Sequence, residues 1–223
     1  MNHKKCPVVK EALPFFLPLA LAAALLRYIF GCSERFLKRQ IWAIPGALAL
    51  FVLYFFRNPP RSNQAQGADL LAPADGKVLS VEYIRDEQEF IKGPAVKVTI
   101  FLSVFNVHIN RSPVAGVVSH IRYQPGKFLP AYKSHLSEIN ERNYMGLIAE
   151  VKEHRVLVVQ LVGLVARRIV CWSEIGDRLD AGERFGLMKF GSRVELYVPH
   201  GSTIYVSEGD KVKGGVTILG RLP

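Results

Sequence analysis

The sequence predicts a mainly β domain, a β-sandwich or partly closed barrel, preceded by an N-terminal hydrophobic helical hairpin. Three observations carry this prediction: two apolar runs near the N-terminus, a series of short Val- and Ile-rich segments from Leu70 onward, and glycine- and aspartate-bearing turns between them.

The first apolar run, Leu13 to Phe30, is broken only by Arg27 and two prolines. The second, Ile41 to Phe56, carries no charge, and the basic loop Ser33–Gln40 separates the two. A membrane span needs roughly 20 apolar residues, so the second run is slightly short and the first is interrupted near its end. A two-helix hairpin and a pair of interfacial helices both fit. A removed signal peptide does not, because a second apolar run follows at once and Arg27 stands where a small-residue cleavage site should be. Arg57-Asn58-Pro59-Pro60-Arg61 ends the second run, since proline cannot extend a helix and pushes its predecessor toward extended backbone. Residues 1–61 are therefore expected to form a membrane anchor, with apolar segments 13–30 and 41–56. A polar linker, Ser62–Ala68, opens the β-domain over residues 62–223.

Charge distribution bounds the function classes. The chain carries a formal +10, but residues 1–65 hold nine Lys/Arg against Glu11 and Glu34, a net +7, so only +3 belongs to the rest. No basic stripe interleaved with stacking aromatics is present, which argues against nucleic acid and for an anionic membrane surface as the partner of the basic segments. Cys6, Cys32 and Cys171 are widely separated, with no CxxC or Cys/His metal spacing. No metal site is expected, and reduced thiols place the domain on the cytoplasmic side of the cell membrane.

Expected strands are Val78–Tyr83, Ala95–Phe101, Val107–Asn110, Val114–Tyr123, Leu147–Val151, Val156–Val165, Val194–Val198 and Thr203–Val206. Pro130–Met145 alone reads as a helix or a long loop. Two turns echo each other as Gly-Asp-x-Φ-x-x-Gly, where Φ is apolar: Gly176 to Gly182 and Gly209 to Gly215. Glycine and aspartate make the turn and the apolar residue tucks beneath it. Together with Ala72-Pro73-Ala74-Asp75-Gly76-Lys77-Val78, these turns resemble the hammerhead turns of lipoyl- and biotinyl-type sandwich domains. Met188-Lys189-Phe190 is only a partial echo of that family's modified-lysine hairpin, so a carrier function is disfavoured.

The stretch Gly186-Leu187-Met188-Lys189-Phe190-Gly191-Ser192-Arg193-Val194-Glu195-Leu196-Tyr197-Val198-Pro199 resembles the processing site of phosphatidylserine decarboxylases of the short, bacterial-type branch. Phe55-Phe56-Arg57-Asn58-Pro59, Pro73-Ala74-Asp75-Gly76-Lys77-Val78 and Phe105-Asn106-Val107-His108-Ile109-Asn110-Arg111 agree with it in family order, from about Phe55 to the C-terminus. Taken alone, Gly191-Ser192 reads as a turn or bulge, Asp75-Gly76 as a hairpin turn and His108 as a hydrogen-bonded strand histidine; their joint order is what carries the resemblance.

That resemblance implies a proenzyme that makes its own covalent pyruvoyl group from Ser192, with no external cofactor. Ser192 attacks the carbonyl of Gly191, and β-elimination of the ester splits the chain into a β chain, 1–191, and an α chain, 192–223, which pair as a heterodimer or a higher oligomer. Glycine at 191 lets the backbone bend for this attack. By the same resemblance His108 is the base of self-cleavage and Asp75 orients it, as in a serine-protease triad. The pyruvoyl ketone then forms a Schiff base with the amine of a serine phospholipid and takes up the electrons left by carbon dioxide, yielding phosphatidylethanolamine. Strand alternation sets Asn106, His108 and Asn110 on a polar face, away from Val107 and Ile109. Long-form relatives carry a second histidine three residues before the one matching His108, and Phe105 stands there, so a proton-donor role does not transfer. Lys127, Lys133 and Arg142 read either as phosphodiester ligands or as a solvated basic face. Archaetidylserine is the alternative substrate, and a membrane-tethered lipoyl-like adaptor is the alternative class. The adaptor needs a long helical hairpin, and no sustained heptad pattern exists.

Overall fold

The computed structural model describes residues 7–33, 35, 38, 40–129, 139–163, 168–189 and 192–223, with Ser192 described by its backbone. The chain divides into two compact units between Pro60 and Arg61.

In the first unit a 3-10 turn, Lys10–Ala12, runs into helix α1 (Leu13–Phe30), and α2 spans Ala43–Phe55. Proline in the first turn of α1 costs no hydrogen bond, because that N–H has no partner there anyway. The segment Lys10–Phe30 is long and apolar enough to cross a membrane. The 13 residues of α2 cover about 20 Å against about 30 Å of hydrocarbon. The two helices close on each other through stacked Phe15 and Phe56 rings, 5.9 Å apart, and through the Val9 amide, which donates to the Phe56 carbonyl at 3.2 Å.

The second unit is built from β1 (Asp69–Leu71), β2 (Gly76–Glu87), β3 (Gly93–Leu102), β4 (Ile109–Arg111), β5 (Gly116–Gln124), β6 (Arg142–Ala149), β7 (Arg155–Val162), β8 (Arg168–Cys171), β9 (Arg178–Leu179), β10 (Arg184–Lys189), β11 (Ser192–Pro199), β12 (Thr203–Ile204), β13 (Lys211–Val212) and β14 (Ile218–Arg221). Eight of them form one curled antiparallel sheet in the order β13-β2-β3-β11-β7-β6-β5-β9. Two three-stranded sheets, β1-β14-β12 and β4-β10-β8, complete the unit. Alternation sends Val98, Ile100 and Leu102 of β3, Val156 and Val158 of β7, and Val194, Leu196 and Val198 of β11 into one shared core. The expected mainly β architecture with an apolar helical N-terminus is therefore present.

Several segments depart from expectation, and β1, β8, β9, β10, β13 and β14 all lie outside the expected strands. Arg142–Met145, read as the end of a helix or loop, opens β6, where pairing with β5 and β7 on both sides overrides the weak local signal. The rest of that stretch, 130–138, lies outside the described residues, as does 164–167 at the end of the expected strand Val156–Val165.

The two echoing turns are superposable in their hydrogen bonds. Asp177 Oδ2 accepts from the Glu174 amide and Asp210 Oδ2 from the Ser207 amide, both at 2.8 Å. Gly176 and Gly209 lie at φ 97° and 99°, a region that glycine enters without steric cost. The echo extends to a pair of segments forty residues apart: Ala72-Pro73-Ala74-Asp75-Gly76-Lys77-Val78 and Ser112-Pro113-Val114-Ala115-Gly116-Val117-Val118. The Leu71 amide donates to the Pro113 carbonyl at 2.8 Å and the Arg111 amide to the Pro73 carbonyl at 2.9 Å, so the two halves grip each other reciprocally.

Candidate active site

The expected processing bond falls where the chain changes sheets. β10 lies between β4 and β8, whereas β11 is central in the large sheet, and only residues 190 and 191 separate them. Gly191, expected at the cleavage site, lies outside the described residues together with Phe190. Ser192 begins β11 and pairs in register with Leu102 of β3 and Val162 of β7. Its backbone is thus held from both sides just where the chain arrives from another sheet.

His108 immediately precedes β4, and its carbonyl accepts the Met188 amide at 3.1 Å. This ties it to β10, the strand that leads into the Gly191-Ser192 bond. The residue is buried, at 2% exposure, and so are Val107, Ile109 and Asn110, so that His108 and Asn110 of the expected polar face are enclosed while Asn106 stays half-buried. Nδ1 sits 3.0 Å from the Asn106 carbonyl oxygen. A carbonyl can only accept, so Nδ1 is the nitrogen that carries the proton in this contact, and in the neutral tautomer Nε2 is the basic nitrogen.

Asp75 sits in the bend that opens β2. Arg61 grips its carboxylate with two bonds, Nη1 to Oδ1 at 2.5 Å and Nη2 to Oδ2 at 2.8 Å, and the Gly214 amide donates to Oδ1 at 2.8 Å. The pair is nearly enclosed, with side-chain exposures of 9% and 11%. Sequence reasoning missed Arg61, which it counted with the basic flank of the anchor; nothing in the local pattern announces a partner fourteen residues away. Asp75 and His108 are linked through backbone, because the Pro73 carbonyl beside Asp75 receives the Arg111 amide of β4.

A cleft of about 540 Å³ opens at this rim of the sheet, lined by Asp75, Lys77, Phe101, Ser103, Asn106, Lys211 and Lys213 among others. Among the buried residues of the unit, Asn143 Nδ2 donates to Gln160 Oε1 at 3.1 Å and Gln160 Nε2 to Asn110 Oδ1 at 2.8 Å. Asn110 is fully buried, faces Gly186 of β10 in register, and among the described residues its Nδ2 has no hydrogen-bond partner. The next residue, Arg111, has its pKa lowered to about 10, first by burial and then by the positive charges of Arg61 and Arg184.

Of the other basic candidates, the two that are described do not line this cleft. Lys133 falls outside the described residues, the backbone of Lys127 pairs with that of Asn140 in an isolated bridge, and Arg142 donates to the Asn140 carbonyl at 3.3 Å and lines a second cleft with Arg193 and Glu195.

Comparison with known proteins agrees with this arrangement. The family model of phosphatidylserine decarboxylase matches residues 48–220. The chain is 45% identical over 224 residues, covering all of both chains, to the phosphatidylserine decarboxylase proenzyme of Symbiobacterium thermophilum. It is 49% identical over 176 residues to the protein of the same name from Carboxydothermus hydrogenoformans, covering 78% of this chain and 81% of that one. A third relative of that name, from Desulfotalea psychrophila, is 43% identical over 223 residues, which is all of both chains. With the motifs in order and the match running through both the β-domain and the end of the apolar segment, the chain belongs to the phosphatidylserine decarboxylase family.

Proposed function

We propose that this chain converts phosphatidylserine to phosphatidylethanolamine after cutting itself between Gly191 and Ser192. Beyond family membership, the observation that supports the reading is the backbone bond from the Met188 amide to the His108 carbonyl, which ties His108 to the strand entering the cleavage position. An unaided serine hydroxyl is a weak nucleophile. His108 Nε2 takes the Ser192 hydroxyl proton as Oγ attacks the Gly191 carbonyl carbon, then returns a proton to the Ser192 nitrogen as the C–N bond breaks. Loss of the Ser192 α-proton expels the Gly191 carboxylate, and uptake of water with release of ammonia leaves a pyruvoyl group at position 192. The surroundings fit such a group: a base is at hand, and the buried Asn110 Nδ2 needs an acceptor. When formed, it supplies a ketone that condenses with the substrate amine and draws off the electron pair left by carbon dioxide.

Asp75 acts as a positioning residue. Locked to Arg61 and Gly214, it fixes the bend whose Pro73 carbonyl holds β4, and through β4 the His108 ring. The 192–223 fragment stays docked after cleavage, because β11 is paired on both sides and β13 and β14 pair with β2 and β1. The apolar helix Lys10–Phe30 holds the domain at a membrane, where the substrate's headgroup is already concentrated. Free Cys32 and Cys171 support a cytoplasmic placement of the domain.

Intact mass of the purified protein tests the reading: two fragments are expected, 1–191 and a 32-residue 192–223 whose N-terminus resists Edman degradation. Ser192→Ala should remain one chain and release no carbon dioxide from phosphatidylserine. His108→Ala should slow self-cleavage by roughly 100-fold or more, in the range that general-base catalysis supplies. An uncut wild-type chain in material that turns over the lipid rejects the mechanism, and faster turnover of archaetidylserine than of phosphatidylserine reassigns the substrate.

A further inference from the structure

We propose that Lys77, Lys211 and Lys213 form an anion site for the phosphodiester of the serine phospholipid, so that the cleft selects phosphorylated amines; this rests on the decarboxylase reading above. The register supplies the first argument. Lys77 of β2 and Lys211 of β13 are directly opposed partners. Opposed side chains in an antiparallel pair stand about 5 Å apart at Cβ, where like charges destabilise the sheet.

No acid among the described residues relieves them. Among the described residues the ion pairs involve other cations, and none of the three lysines takes part. The carboxylate that shares their cleft, Asp75, is already occupied by Arg61 and the Gly214 amide. Three exposed ammonium groups thus converge on one concavity with their charge unanswered.

The concavity is also in the right place. Its Asn106 carbonyl is the one that holds His108, and its Phe101 pairs with Lys77 on one side and with Arg193, next to Ser192, on the other. Two strand spacings, about 10 Å, separate the backbone of Lys77 from that of Arg193. Alternation sets Leu102, the register partner of Ser192, on the core face and Phe101 on the other, so the headgroup reaches position 192 by rounding the rim where β11 begins, a path that a lysine side chain and a phosphoserine headgroup together span. The site is composite: Lys77 belongs to the 1–191 fragment, and Lys211 and Lys213 belong to 192–223.

The test uses the full processed chain in neutral detergent, with its ketone first reduced by borohydride so that no turnover accompanies binding, and reads binding by calorimetry. The probe is glycerophospho-L-serine, which has the headgroup but no acyl chains. Wild type is expected to bind it, with inorganic phosphate competing, and Lys77→Gln/Lys211→Gln to bind at least tenfold more weakly while its self-cleavage pattern stays unchanged. Lys77→Arg/Lys211→Arg should keep the affinity, and the single change Lys213→Gln, at an exposed position, should weaken it about threefold. Unchanged affinity in the glutamine variants, or no binding by wild type, overturns the proposal. So does weaker adsorption of the variants to phosphatidylserine vesicles with glycerophosphoserine binding intact, since the lysines would then read bulk membrane charge. Lysine-dependent binding by a protein that proves unable to decarboxylate would keep the anion site and remove the decarboxylase reading.

Discussion

The two hammerhead halves of the β-domain share one backbone and differ in their chemistry. In the first, the Val78 amide donates to Asp210 at 2.8 Å and the Gly215 amide to Ala72 at 2.7 Å; in the second, Val118 donates to Asp177 and Gly182 to Ser112, both at 2.8 Å. Glycine at 76 and at 116 occupies the same place in each, where a Cβ would drive into a neighbouring carbonyl, that of Phe101 or of Ile148. The side chains then part company. Where the first half has Asp75 the second has Ala115, where it has Lys77 the second has Val117, and Lys211 is answered by Arg178. Arg178 stands opposite Val117 and lies 3.5 Å from Glu150, so its charge is met. Shared features therefore hold the fold. Charge left unmet in only one half marks where a ligand is awaited.

The largest expected effect comes from making the first half resemble the second at Asp75. Asp75→Ala strands the nearly buried Arg61 guanidinium, a loss of about 3–5 kcal/mol for breaking such a pair. Urea titration of the chain carrying Ser192→Ala, which keeps all samples uncut, should show it as an earlier midpoint. Adding Arg61→Met should restore much of that stability by removing the stranded charge. Self-cleavage of the Asp75→Ala/Arg61→Met protein should stay slow, because the bend that aligns β4 is no longer locked. Normal cleavage in the double variant would reduce Asp75 to a structural ion pair.

A smaller and symmetric effect is expected at the two glycines. Gly76→Ala and Gly116→Ala each force a methyl group against backbone, at roughly 1–3 kcal/mol. Similar losses of stability with self-cleavage slowed only by Gly76→Ala, which adjoins Asp75, would sharpen the division between the halves. Equal slowing in both would show that processing follows overall rigidity.

How much of this the sequence discloses depends on the range of the interaction. Turn chemistry is local, so Gly209-Asp210 and Gly176-Asp177 announce themselves, and so does the order of the processing motifs. The strand alternation that places Val194, Leu196 and Val198 in the core is legible for the same reason. What stays hidden is pairing across distance: Arg61 with Asp75, Gly214 with Asp75, and the Asn106 carbonyl with His108, the last because a backbone acceptor has no residue-type signature. β10 was hidden for another reason, since its glycine and lysine weaken a strand pattern that two neighbouring strands enforce. The repeat linking Ala72–Val78 with Ser112–Val118 was within reach of a forty-residue self-comparison, and would have singled out Lys77 as the position where the copies disagree.

The smallest expected effect reverses the usual sign of mutation. Lys77→Val gives the first half the residue of the second and removes a like-charge pair with Lys211, so the uncut Ser192→Ala background should gain about 0.2–1 kcal/mol in low salt. Salt screens exposed charges, and the gain should shrink as ionic strength rises. Val117→Lys does the converse, setting an ammonium group opposite Arg178, and should lose a similar amount without creating affinity for glycerophosphoserine. A protein that is more stable yet binds its headgroup less well is what a site under electrostatic strain predicts. Should Lys77→Val lose stability even in low salt, the lysine is part of the scaffold, and the contrast between the halves is one of packing.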